Sequence, residues 1–211
     1  MPKAIQQANS SKKPPCGAVI LSGGRNSRMA GYNKAFLEVG GNTILDRLLA
    51  RLTPYFEEVL LVTRHPDVYS NTPARVVEDI HPARSSLTGI HAGLMHIKAD
   101  FAFVVPCDTP FLMPAVIELL MGNLESDCDV VVPHVEGHYE PLCAIYSKRC
   151  LPLIAAQLNQ GDFTIYNFFD QVNVKRLSKE QIKEADPELI SFFNVNTPAA
   201  HAKCRELVQK M

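Results

Sequence analysis

Residues 18–40 read AVILSGGRNSRMAGYNKAFLEVG, and their order is that of a strand running into a loop made to meet anions. Ala18-Val19-Ile20-Leu21 is a short apolar run of the kind that forms a buried strand. It breaks at Ser22-Gly23-Gly24, where glycines let the backbone turn tightly and bring successive N–H groups close to a ligand. Arg25, Arg28 and Lys34 then supply spaced positive charge, so a phosphate cradle is the reading this stretch supports. The bland alternative is a surface turn whose cations are solvated. Two commoner cradles are excluded: Lys34 follows Asn33 and precedes Ala35, so there is no P-loop, and no G-x-G-x-x-G occurs.

The surrounding 211 residues, 46% hydrophobic, suffice for one sizeable α/β domain. We assign residues 1–15 to a flexible polar tail and 16–211 to a single domain. A formal net charge of −1 gives no general attraction to nucleic acid or an anionic membrane. Six cysteines without a C-x-x-C spacing signal neither a zinc site nor a disulfide scaffold, and suggest free thiols in a reducing, cytoplasmic setting. No segment approaches the length of a membrane span.

Working outward, Asn42 or Thr43 is placed to cap a helix whose apolar positions Ile44, Leu45, Leu48, Leu49 and Leu52 follow helical spacing. Strands are expected at 58–62 and 74–77, a helix from Ser85 or Ser86 to Ile97, and a central strand at 101–105 ending in Pro106-Cys107-Asp108-Thr109-Pro110. A helix at 114–124 and a strand at 129–132 follow. Tyr139–Tyr146 reads as one further strand, with helices near 148–157 and 162–170, strands at 172–177 and 192–196, and a closing helix begun by Thr197-Pro198. Such alternation implies a parallel sheet between helical layers. Ligands then collect at the carboxyl edge of the strands, where Asp108 and the loop at 22–34 can face one crevice.

Asp108 is a candidate ligand for Mg²⁺, a hard cation that takes one or two carboxylates and keeps water and substrate phosphates; it could equally cap the turn that follows. Asp79, also at a strand end, is a second metal candidate, or a solvated strand edge. His134 and His138 flank Glu136 beside Gly137, which favours a loop over a helical metal motif, and Cys107 has no partnered base.

The ordered set Leu21-Ser22-Gly23-Gly24, Arg28-Met29, Lys34, Val77-Glu78-Asp79, Leu87-Thr88-Gly89, Pro106 to Pro110, Glu140-Pro141-Leu142 and Asn194 to Pro198 resembles the molybdenum cofactor guanylyltransferases. That resemblance implies a three-layer Rossmann-like nucleotidyltransferase fold with a mostly parallel central sheet. It also implies transfer of GMP from GTP to the terminal phosphate of molybdopterin, with release of pyrophosphate and use of Mg²⁺. Arg28, Lys34 and Asp108 become catalytic candidates, with Asp108 holding metal. Leu21, Ser22, Gly23, Gly24, Lys34, Thr63, Asp79, Gly89 and Asp108 fall on the nucleotide side, and Asn194 and Asn196 on the pterin side. GTP and molybdopterin are the implied partners, with molybdopterin-delivering proteins and apo-molybdoenzyme chaperones as further candidates. Two departures stand out. Thr63 lies nearest to where the family has asparagine, which keeps a cytidylyltransferase or another phosphorylated acceptor open, and Ala30 precedes Gly31 where the family has glycine directly after Arg-Met. A non-catalytic molybdopterin carrier is a third reading, opposed by the intact loop and Asp108.

Overall fold

The computed structural model describes residues 14–23, 28–29 and 32–208. The first strand, β1 (Cys16–Ser22), is apolar on both faces and lies in the middle of an eight-stranded sheet. The other strands are β2 (Val59–Thr63), β3 (Arg75–Glu78), β4 (Phe101–Pro106), β5 (Val130–Val135), β6 (His138–Tyr139), β7 (Ala144–Ser147) and β8 (Val174–Ser178). They order as β6-β5-β7-β4-β1-β2-β3, with β8 also paired to β5. The pairs β1/β2, β1/β4, β2/β3 and β5/β8 are parallel, while β7 runs antiparallel to β4 and β5, and β6 to β5. The sheet is therefore mixed but mostly parallel, as expected.

Helices α1 (Ile44–Leu52), α2 (Ser86–His96), α3 (Pro114–Gly122), α4 (Leu151–Asn159), α5 (Lys179–Ala185) and α6 (Pro198–Val208) cover it. Alternate side chains of β1 enter two separate cores. Ala18 and Ile20 pack with α1, α3, α5 and α6, and Val19 and Leu21 with α2 and α4, which makes three layers. Thr43 caps α1 by accepting the Asp46 N–H at 3.1 Å, and Ser85 caps α2 in a reciprocal capping box with Thr88. All six cysteines are free thiols. Among the described residues, no helix is long and apolar enough to cross a membrane.

The sequence reading needs five corrections. Residues 139–146 do not form one strand: a turn at 140–143 separates β6 from β7, because Pro141 cannot donate to a ladder. The segment at 192–196 is not a strand; a 3-10 turn at Ile190–Phe192 leads into extended chain held to the sheet edge by the Val195 N–H donating to the Asp108 carbonyl at 2.9 Å. The helix expected at 162–170 is a 3-10 segment, Ile165–Gln171. Helix α5 was unforeseen. His134 and His138 lie on the paired strands β5 and β6 rather than in a loop or on a helix, and only Glu136 (φ 53°) and Gly137 (φ 82°) form the turn between them. Gly24 and residues 1–13 of the assigned tail lie outside the described residues.

Candidate active site

Because β1 and β4 are neighbours in parallel register, with Leu21 opposite Pro106, the segments leaving their carboxyl ends open into the same crevice. A cavity of about 300 Å³ sits there. Leu21, Ser22, Gly23, Lys34, Asp79, Gly89, Asp108, Asn194 and Asn196, all singled out from sequence, line it. Residues from six separated parts of the chain thus converge on one hollow.

Lys34 is the centre of the polar network. It opens a 3-10 turn, Lys34–Phe36, whose N-cap Asn33 accepts the Ala35 N–H at 3.1 Å. Its side chain is 3% exposed; Nζ donates to Asn196 Oδ1 at 2.5 Å and lies 3.5 Å from Asp108 Oδ2. A buried cation needs such partners, since isolated charge is costly away from water. Burial pushes the Asp108 carboxyl above the usual carboxylate range, and the Lys34 cation pulls it back part of the way. Asn194 Oδ1 accepts from the Thr109 hydroxyl at 3.1 Å. With both asparagine oxygens engaged, their amide N–H₂ ends are the groups left to meet an anion.

On the opposite wall, Asp79 is buried rather than a solvated edge. One oxygen accepts the Thr88 hydroxyl at 2.7 Å and the other the His81 N–H at 3.1 Å, so the carboxylate ties the loop after β3 to the first turn of α2. Ser85 and Ser86 bring the amino end of α2, with its partial positive charge, to the cavity. Gly89 lets α2 come close to β1: a Cβ there would stand 3.1 Å from Leu21 Cδ2.

Thr63 is placed differently from the rest. It is buried, its hydroxyl accepts the His65 N–H at 3.2 Å, and it does not line the cavity; its neighbour Val62 does. The backbone of Arg28 pairs with that of Asn33 in a short hairpin, Arg28–Met29 with Tyr32–Asn33. Ser85 and Ser86 went unnoticed in the sequence as site residues, although Ser85-x-x-Thr88 after a strand end is a helix-start signature that brings an anion-friendly terminus with it. Cys107 also lines the cavity, but burial pushes its thiol up to about 12, which keeps it protonated and a poor nucleophile.

Mg²⁺ fits Asp108 in one respect. The carboxylate is 17% exposed at the cavity, with Lys34 on one oxygen, and offers the single protein ligand that a hydrated, phosphate-bound Mg²⁺ requires.

A glycine just past the end of a central strand, a buried lysine, a helix amino end and a strand-end carboxylate around one hollow are the parts of a nucleotidyltransferase. Residues 18–176 match the family described as the MobA-like NTP transferase domain. A molybdenum cofactor guanylyltransferase of Desulfosudis oleivorans is 40% identical over 179 residues, covering 85% of this chain and 89% of its own. The crystal structure of molybdopterin-guanine dinucleotide biosynthesis protein A from Archaeoglobus fulgidus superposes with a TM-score of 0.80 at 29% identity, covering 92% of this chain and all of that one. A CMP:2-keto-3-deoxy-manno-octonic acid synthetase complexed with CTP shares the fold, with a TM-score of 0.69 at 14% identity over 93% of this chain and 99% of that one. The chain belongs to the MobA-like nucleotidyltransferases, in the branch of the molybdenum cofactor guanylyltransferases.

Proposed function

We propose that this enzyme transfers GMP from GTP to the terminal phosphate of molybdopterin, releasing pyrophosphate. The observation that carries the proposal is the position of Lys34, whose buried ammonium lies in the hollow, donating to Asn196 and standing 3.5 Å from Asp108. The acceptor phosphate is already an anionic nucleophile, so no general base is needed, and the barrier is the meeting of two anions. Lys34 offsets that repulsion where nucleotide and pterin phosphates would meet. The Gly23 backbone and the amino end of α2 add oriented dipoles on the nucleotide side. Asn194 and Asn196 present amide donors to the pterin side, and Asp79 and Gly89 shape the wall for the base. Mg²⁺ held by Asp108 would supply further neutralisation of phosphate charge. Since Thr63 contributes no side chain to the cavity, base choice in this reading falls to the residues that do line it.

The proposal is tested by pyrophosphate release with molybdopterin as acceptor, with Mg²⁺ or with a chelator, and with GTP, CTP or ATP in separate reactions. Release with GTP and Mg²⁺ is expected. Release with CTP alone would keep the mechanism and overturn the base, and release unaffected by chelator would remove Mg²⁺ from the account. Lys34→Ala and Asp108→Ala should each lower turnover about 10²–10³-fold, the usual loss for a preorganised electrostatic contact. Near-normal turnover in either folded variant would contradict the assigned roles.

A further inference from the structure

Ser22 ends β1 and Asn33 directly precedes Lys34, so the geometry of Lys34 depends on how those two residues are held. Both are held by one residue from a different part of the chain. Tyr69 ends the 3-10 turn Pro66–Tyr69 that follows β2. It is 2% exposed, and its hydroxyl hydrogen-bonds with the Ser22 hydroxyl and accepts from Asn33 Nδ2 at 2.7 Å. Asn33 passes the contact on, because its Oδ1 accepts the Ala35 N–H at 3.1 Å and so caps the turn that carries Lys34. The ring of Tyr69 also stacks on Phe36 in that turn, with centroids 5.3 Å apart and planes 28° from parallel.

We infer that Tyr69 is a positioning residue, a buried phenol that staples the two ends of the glycine and cation loop and thereby sets the place of the Lys34 ammonium. It does not line the cavity and so acts through Ser22 and Asn33 rather than on substrate. The phenol is protonated at neutral pH, and burial raises it further, so the hydroxyl can accept from Asn33 while bonded to Ser22. A phenylalanine would keep the stack on Phe36 and lose both hydrogen bonds. The inference rests on the transferase reading, since the consequence of misplacing Lys34 is read in turnover.

The test compares wild type, Tyr69→Phe, Asn33→Ala and the double variant by steady-state pyrophosphate release from GTP with molybdopterin, each alongside its thermal midpoint. Tyr69→Phe is expected to lower kcat about 10–100-fold, as small misplacements of a catalytic group do, with KM for GTP changing by less than about threefold. The double variant should be no worse than the poorer single one, because both break the same relay. Wild-type kcat in Tyr69→Phe, losses that multiply in the double variant, or a loss that tracks the unfolded fraction would each overturn the inference while leaving the transferase reading intact. An inactive wild type would overturn that reading and the inference with it.

Discussion

At position 91, a half-buried histidine on α2 shows how one side chain couples this fold to pH. Burial holds its pKa below the ordinary 6.5, the nearby His81 lowers it further, and Asp79 works in the opposite direction. The unfolded chain therefore takes up the proton first. Its contribution to stability is present above 6.5 and lost as the pH falls toward the lower folded value. Thermal midpoints followed on acidification should fall more steeply for wild type than for His91→Gln; parallel curves would contradict this. Residues of this kind differ in how legible they are from sequence. Lys34 and Asp108 could be read because each stands in a local pattern, a cation after a glycine turn and an acid at a strand end. Tyr69 could not, since its contact with Ser22 spans 47 positions and no pattern near it points there. Thr63 was nominated by its place in the chain, but a hydroxyl beside a strand end closes on the local backbone more readily than it reaches across a cavity.

Among the elements, α2 bears most directly on the site, because its first two turns carry Thr88 and Gly89 while Gly93 seats it on the sheet. A Cβ at Gly93 would stand 2.6 Å from Val19 Cγ1, and Val19 is fully buried on β1. Gly93→Ala should therefore push the helix off the sheet and cost about 1–3 kcal/mol, the usual penalty of overpacking. Urea denaturation measures this, with Val19→Ala in the same chain expected to restore part of the loss; an unchanged midpoint for Gly93→Ala would show that the helix is not seated there. The apolar runs that became β1, β2 and β4 were plain in the sequence because central parallel strands are buried on both faces. The errors fell where that signal fails. Phe192 to Asn196 is rich in strand-forming residues, yet it pairs with no strand among the described residues and is tied by the Val195 N–H to Asp108, just past the end of β4. Lys179-Glu180-Gln181-Ile182-Lys183-Glu184-Ala185 buries only Ile182, too little apolar periodicity to announce a helix, although its capping box at Ser178 and Gln181 was visible in the sequence.

For the whole molecule, function follows from strand order. With β1 and β4 adjacent and parallel, a loop near residue 23 and a carboxylate at 108 are brought together, and the chain at 194–196 closes the hollow through Val195 and Asn194. Two cores, one on each face of the sheet, hold that edge still, so the charged groups are oriented before substrate arrives, which is what electrostatic catalysis requires. This convergence was legible in outline, since alternating strands and helices already imply a ligand at the carboxyl edge. The particular network of Lys34, Asn196 and Asp108 was not, because it depends on the side-chain geometry of three distant segments. The central claim is that the α-phosphoryl group of GTP, with its guanosine, is joined to a pterin phosphate. It is tested most directly by supplying GTP labelled at the α-phosphorus together with molybdopterin and isolating the pterin product. The account predicts label in a guanine dinucleotide of the pterin and unlabelled pyrophosphate in equal amount; label recovered only in free GMP or GDP would contradict it.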